Sequence, residues 1–204
     1  MAEITFILGG ARSGKSRHAV QLAKGTGKKT VFIATAVAFD DEMKRRIAMH
    51  KTERPPDWVT IDEPKAVSSV VKSLGPEFGT VVIDCLTLLI SNHLMEDQDE
   101  EVPRHCEEQS DEAIPSVRSR EERFGWQENG GIERLENEID DLLAVLKEKN
   151  AQVFIVSNEV GLGIVPENAL ARRFRDASGR VHQRLAKEAD EVIFMVAGIP
   201  WRVK

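Results

Sequence analysis

One octapeptide constrains this chain more than any other feature. Gly9-Gly10-Ala11-Arg12-Ser13-Gly14-Lys15-Ser16 fits the pattern G-x-x-x-x-G-K-[ST] without a mismatch. The short, apolar, β-prone run Ile4-Thr5-Phe6-Ile7-Leu8 precedes it. Arg17 to Lys24 follows, with His18, Ala19, Leu22 and Ala23 at helical spacing. Strand, glycine loop and helix in that order make the pattern a phosphate-binding P-loop. Gly9 and Gly14 admit backbone angles that a side chain forbids, so successive N–H groups can turn inward toward a phosphate. The helix starting near Lys15 adds its positive end. In this reading Gly9, Gly10, Ala11, Arg12, Ser13 and Gly14 wrap the phosphates, Lys15 reaches the β- and γ-phosphates, and the Ser16 hydroxyl ligates Mg2+.

Further strands are expected where apolar runs meet turn signals. Thr30-Val31-Phe32-Ile33-Ala34-Thr35-Ala36 ends in small residues. In an open α/β sheet ligands sit beyond the carboxyl ends of strands, which makes Ala34, Thr35 and Ala36 either ligand neighbours or a tight strand exit. Thr80-Val81-Val82-Ile83-Asp84 resembles a Walker B strand, whose terminal acid holds Mg2+. An acid at the end of such a strand is costly unless paired or metal-bound, which argues for function at Asp84. Trp58-Val59-Thr60-Ile61 reads as a short strand or edge. Asp62 and Glu63 after it contact a ribose or metal, or form a solvated turn. Ala151–Ser157 is another buried strand, delivering Asn158-Glu159-Val160-Gly161-Leu162-Gly163-Ile164-Val165-Pro166 to its carboxyl end as a candidate substrate loop. Asp190–Gly198 gives a last strand, and Ile199–Lys204 can add an edge.

Helices are expected at 42–53, capped by Asp40 or Asp41 and stopped by Pro55, and at 65–74, 132–149 and 170–189. Met43, Ile47 and His50 share one face of the first of these. A lone histidine there is either packed in the core or chemical. Leu135, Ile139, Leu142, Leu143 and Leu146 form the clearest apolar stripe, on the helix at 132–149. Arg172, Arg173, Arg175, Arg180 and Arg184 at 170–189 either clamp a phosphate or form a solvated face.

The chain of 204 residues carries a net charge of −6. Residues 96–124 hold eleven acids against four bases, a net of −7, so the remainder is close to +1. That balance gives no electrostatic case for nucleic acid. No apolar run is long enough for a membrane span, and no signal peptide is apparent. Cys85 and Cys106 have no metal or disulfide spacing, so a reducing, cytoplasmic setting is expected. Residues 96–131 are acid-rich, interrupted by Pro103 and Pro115, and without periodicity. They read as an irregular, disordered acidic insertion within a single P-loop domain spanning 1–204. The run from Arg104 to Ile114, with His105 and Cys106, resembles the translated form of dispersed bacterial repeat DNA.

In order, these pieces resemble the bifunctional adenosylcobinamide kinase / adenosylcobinamide-phosphate guanylyltransferase family of cobalamin biosynthesis. The likeness covers about residues 4–95 and 132–204. It rests on the octapeptide at 9–16, Ile33-Ala34-Thr35-Ala36, and Asp41-Glu42-Met43 with Arg46, Ile47, His50 and Arg54. Trp58 with Asp62-Glu63-Pro64, Asp84-Cys85-Leu86-Thr87 and Ser91-Asn92 continue it, as do the loop 158–166, Arg173-Phe174-Arg175-Asp176, Gly179-Arg180 and Ala197-Gly198. The insertion at 96–131 departs from the family, whose connection there is usually shorter.

The resemblance implies an α/β fold of the P-loop NTPase type: a mostly parallel, RecA-like sheet flanked by helices. It implies that ATP or GTP phosphorylates the aminopropanol hydroxyl of adenosylcobinamide. GTP then donates GMP to a histidine, and adenosylcobinamide phosphate takes it up as adenosylcobinamide-GDP. The guanylylated histidine falls on His50. Some relatives carry a second histidine where this chain has Met49. The nucleotide site is expected to take in the P-loop, Ala34, Thr35, Ala36, Lys51, Thr52, Glu53, Arg54, Asp62 and Asp84. Mg2+ is expected on Ser16 and Asp84, and Arg46, Lys51 or Arg54 is expected to hold the triphosphate beside His50. The family also implies a homotrimer. Two rival readings are a small-molecule P-loop kinase without a covalent step and a nucleotide-dependent switch.

Overall fold

A computed structural model describes residues 1–38, 40–99 and 130–204. The chain runs β1 (Glu3–Gly9), α1 (Lys15–Gly25), β2 (Thr30–Ala34), α2 (Asp41–Thr52), β3 (Val59–Asp62), α3 (Val67–Ser73) and β4 (Thr80–Asp84). It continues α4 (Leu86–Asp99), α5 (Gly130–Glu148), β5 (Gln152–Val156), α6 (Ala169–Glu188), β6 (Glu191–Val196) and β7 (Ile199–Arg202). The seven strands form one sheet in the order β3-β2-β4-β5-β1-β6-β7. All pairs are parallel except β6–β7. This is the mostly parallel, helix-flanked sheet expected from the sequence, and one strand, β5, separates the P-loop strand β1 from the Asp84 strand β4.

Strand alternation sorts the core into two layers, because successive side chains point to opposite faces. Phe6, Val31, Ile33, Val81, Ile83, Val153 and Ile155 face α3, α4, α5 and α6. Ile7, Phe32, Val82, Phe154, Val156 and Ile193 face the other way and pack against Ala19, Val20 and Ala23 of α1. The predicted stripe on α5 is buried as read, from Leu135 to Leu146. Of the two caps expected for α2, Asp40 is the one formed: its carboxylate accepts the Met43 amide at 2.7 Å.

The β6–β7 connection is a two-residue hairpin. Ala197 (φ 51) and Gly198 (φ 84) are both left-handed, as the twist of a tight hairpin requires. Among the described residues no helix is long and apolar enough to cross a membrane.

Two sequence expectations change at their edges. The irregular segment read at 96–131 is narrower, because α4 continues through Asp99 and α5 already begins at Gly130. Its interior, with His105 and Cys106, lies outside the described residues, and so does the expectation that it is disordered. The helix expected at 65–74 begins only at Val67. Glu63 explains the delay: its carboxylate accepts the Lys65 and Ala66 amides at 2.9 and 2.8 Å, holding a turn there.

No side chain of its own caps α3. Glu138 on α5 does so from 70 positions away, accepting the Ser68 amide and hydroxyl, both at 2.7 Å. Burial pushes the Glu138 carboxyl above its ordinary range, and the two Ser68 bonds oppose that shift. Ser68 is buried, so removing Glu138 strands both of its donors. Glu138→Ala is expected to lower stability by about 1–3 kcal/mol, read as a lower urea midpoint, with turnover per folded molecule unchanged.

Candidate active site

The P-loop leaves β1 with Gly9 at φ 154 and enters α1 with Gly14 at φ 92. A Cβ on Gly9 would lie 2.6 Å from the Met195 carbonyl oxygen, so only glycine lets β1 and β6 meet here. The loop is braced from three sides. The Glu159 amide donates to the Gly9 carbonyl at 2.9 Å, and the Gly198 amide donates to the Ser13 carbonyl at 3.0 Å. Lys15 Nζ donates to the Gly10 carbonyl at 2.6 Å. Lys15 is only 6% exposed. Desolvation lowers its pKa, partly offset by Cys85 and Asp84. A desolvated ammonium held at the loop centre suits an anion more strongly than one in water.

Asp84 closes β4 level with Ala34 of β2 and Val156 of β5. Burial pushes its carboxyl up. The Ser16 hydroxyl bond, His50, Arg54 and Lys15 all pull it back down. The phosphate loop, the expected metal-binding acid and the expected nucleophile thus share one field. Cys85 is buried and its thiol is pushed up to about 12, chiefly by that burial, so it is protonated and unreactive at neutral pH.

The ends of β2 and β4 are zipped by residues whose roles are invisible to local pattern. Thr35 is fully buried. Its hydroxyl donates to the Cys85 carbonyl at 2.6 Å and accepts the Cys85 amide at 2.9 Å. Buried Asn92 on α4 donates to the carbonyls of Thr35 and Pro64, each at 2.9 Å. Thr35 therefore positions Asp84 with its side chain. Spacing could not have revealed this, since its partners lie 50 and 57 positions away. Ala34 and Ala36 flank this point on the same sheet edge.

Helix α2 packs only lightly on the rest of the protein. Met43 and Ile47 are half-buried. His50 is not a core histidine: its side chain is 51% exposed, with Nδ1 3.5 Å from Glu53. Lys51 pairs with Asp62 at 2.8 Å, joining the end of α2 to the end of β3. The Thr52 hydroxyl donates to the Met49 carbonyl and so finishes the helix. Arg54 lies over the Phe32 ring at 3.7 Å. Its Nε and Nη1 are buried without a hydrogen-bond partner among the described residues. Of the three cations expected beside His50, Arg54 lies within electrostatic reach of Asp84 and Asp62, Lys51 is engaged with Asp62, and the Arg46 side chain lies outside the described residues.

Beyond β5, the loop 158–166 is tied to both neighbours. The Asn158 amide donates to Thr87 Oγ1 at 2.6 Å. Arg175 donates to the Gly161 carbonyl at 2.8 Å, and Arg172 donates to the carbonyls of Pro166 and Glu167. Arg172 and Arg175 thus hold this loop rather than forming a merely solvated face. Arg184 pairs with Asp140 on the far side of α6. His182 is buried against Ser157, with Nε2 2.8 Å from the hydroxyl.

The sequence matches the family described as "Cobinamide kinase / cobinamide phosphate guanyltransferase" over residues 5–203. The bifunctional adenosylcobalamin biosynthesis protein CobP of Pseudomonas aeruginosa is 38% identical over 98% of this chain and 96% of that protein. The bifunctional adenosylcobalamin biosynthesis protein CobU of Salmonella typhimurium is 40% identical over 98% of each. Among solved structures, the RadB recombinase is similar at a TM-score of 0.47 and 16% identity, over 94% of this chain and 73% of that one. With its P-loop, its Asp84 strand and a near full-length match to both relatives, this chain belongs to the cobinamide kinase / cobinamide phosphate guanyltransferase family.

Proposed function

We propose that this protein carries out two transfers at one nucleotide site. ATP or GTP first phosphorylates the aminopropanol hydroxyl of adenosylcobinamide. GMP from GTP then passes through His50 to adenosylcobinamide phosphate, giving adenosylcobinamide-GDP. The observation that carries this reading is electrostatic: Asp84 beside the P-loop senses His50, Arg54 and Lys15 together. An exposed imidazole on a lightly packed helix is free to approach a nucleotide held there.

In the first transfer the loop amides and Lys15 bind the β- and γ-phosphates and stabilise charge on the departing diphosphate. Ser16 and Asp84 supply two hard oxygen donors, a set that fits Mg2+ bound mainly by phosphates and water. The ion would neutralise phosphate charge there. In the second transfer an imidazole nitrogen of His50 attacks the α-phosphorus and pyrophosphate leaves. With Nδ1 turned to Glu53, Nε2 keeps the free lone pair. The neutral ring is the nucleophile, and the phosphoramidate it forms stays reactive enough to pass GMP on. Arg54 presents unpaired N–H groups suited to a phosphate oxygen. Lys51, Thr52, Glu53 and Asp62 complete the wall on that side. Light packing of α2 suits a helix that closes when GTP binds. The family resemblance further implies a homotrimer, and the cysteine usage implies a reducing, cytoplasmic setting.

Two substitutions test the reading. Lys15→Ala is expected to lower turnover in both transfers by about 10²-fold or more, because it removes a desolvated charge from the phosphate site. Near-normal steady-state rates would exclude the P-loop as the shared site. His50→Asn is expected to abolish transfer of label from α-labelled GTP to the protein and to spare most phosphorylation of adenosylcobinamide. A folded variant that still takes up label would move the nucleophile elsewhere. Loss of both transfers would make His50 part of nucleotide binding.

A further inference from the structure

We infer that Glu159 takes the proton from the acceptor hydroxyl in the phosphoryl transfer, and that His182 holds Glu159 for that task. The inference rests on the proposed kinase activity and assigns it a residue that the two-transfer mechanism above does not use.

Phosphorylating a hydroxyl needs a proton acceptor beside the P-loop, because the attacking oxygen loses its proton as it bonds to phosphorus. The carboxylates along this sheet edge are mostly committed. Asp84 receives the Ser16 hydroxyl and lies among cations. Asp62 is paired with Lys51. Glu63 accepts two backbone amides. Glu159 differs. Its own amide is bonded to Gly9, the first residue of the P-loop, at 2.9 Å. Its side chain is 21% exposed, so a substrate can reach it. One carboxylate oxygen accepts the Gly161 amide, which leaves lone pairs on the other.

Behind Glu159 stands a polar chain in an otherwise apolar region. His182 Nδ1 is 4.0 Å from Glu159 Oε2. His182 Nε2 is 2.8 Å from Ser157 Oγ, and Ser157 Oγ is 3.0 Å from Thr87 Oγ1. Thr87 in turn accepts the Asn158 amide. One direction of protons suits the hydrogen bonds: Thr87 donates to Ser157 and Ser157 donates to Nε2, which leaves the proton on Nδ1, 4.0 Å from Glu159, within electrostatic range but beyond a direct hydrogen bond. His182 is pushed toward its neutral form chiefly by burial, which suits that tautomer. The ring is also fixed by Phe6, its centroid 5.6 Å away. Such a chain orients a carboxylate as histidine-backed pairs do elsewhere.

The step balances. The hydroxyl oxygen bonds to the γ-phosphorus, and the bond from that phosphorus to the β–γ bridging oxygen breaks. The diphosphate leaves with that electron pair, and the hydroxyl proton moves to the Glu159 carboxylate. In the guanylyl transfer the acceptor is already a phosphate anion with no proton to lose. Glu159 is therefore needed in one transfer and dispensable in the other.

Glu159→Gln keeps an oxygen for the Gly161 amide and removes the base. Its kcat for phosphorylation of adenosylcobinamide by ATP is expected to fall about 10²- to 10⁴-fold with KM nearly unchanged, while GMP transfer to preformed adenosylcobinamide phosphate stays at the parent rate. Glu159→Asp, which keeps a carboxylate, is expected to retain more kinase turnover than Glu159→Gln or Glu159→Ala. His182→Gln is expected to lower kcat, not raise KM, and to cost nothing further on top of Glu159→Gln if it acts through that residue. Parent-level phosphorylation by folded Glu159→Gln would overturn the inference, as would equal loss of both transfers. Glu159→Asp no better than Glu159→Ala would overturn it too, should the Gln variant fail to fold. A parent protein that does not phosphorylate adenosylcobinamide at all would instead defeat the functional reading on which the inference stands.

Discussion

The site depends on one unfavourable placement: a carboxylate set into the end of an apolar strand. Asp84 follows Thr80-Val81-Val82-Ile83, all buried, and desolvation alone would favour its neutral acid. The groups the fold brings to it oppose that shift: the Ser16 hydroxyl, His50, Arg54 and Lys15. The same reasoning applies in reverse to Lys15, whose ammonium is disfavoured by burial and supported by Asp84. Each charge lowers the cost of burying the other. Buried charges arranged this way mark function more often than stability, since pairing seldom recovers the full desolvation cost.

The surrounding structure holds that geometry rigid on one side and loose on the other. The P-loop is fixed through Gly9, Ser13 and the Lys15 side chain, by Glu159 in the loop after β5, by the β6–β7 hairpin and by its own carbonyl. Thr35 and Asn92 lock the end of β4 to β2 and α4. By contrast α2 contributes no fully buried side chain among its described residues and is tied at its end by the exposed Lys51–Asp62 pair. A fixed phosphate cradle beside a lightly packed helix suits the two successive transfers proposed for this site. In that proposal the first transfer uses the cradle and a hydroxyl, and the second brings the histidine to the α-phosphate.

Much of this was legible from sequence because it is local. The P-loop motif, the period-two strands, the α5 stripe and the Asp40 cap each declare themselves within a few residues. The family follows from many such motifs in one order. The parts that were not legible are long-range. Glu138 capping α3, Asn92 bridging Thr35 and Pro64, and Gly198 bracing Ser13 join residues between 28 and 185 positions apart. Nothing in the periodicity of either partner signals the other. His50 was ambiguous for the same reason: its face on α2 looks apolar in sequence, yet that face meets little of the body. The loop-fastening bonds of Arg172 and Arg175 were not legible because charge and spacing do not distinguish a phosphate ligand from a residue that fastens a loop carbonyl.

The central claim is that a covalent guanylylated His50 links the two transfers. Intact-mass analysis after mixing the protein with GTP and Mg2+ tests it most directly, with peptide mapping to place any adduct. The account predicts a single acid-labile GMP adduct on His50 that disappears when adenosylcobinamide phosphate is added. An unmodified protein that nevertheless makes adenosylcobinamide-GDP, or an adduct on another residue, would contradict it.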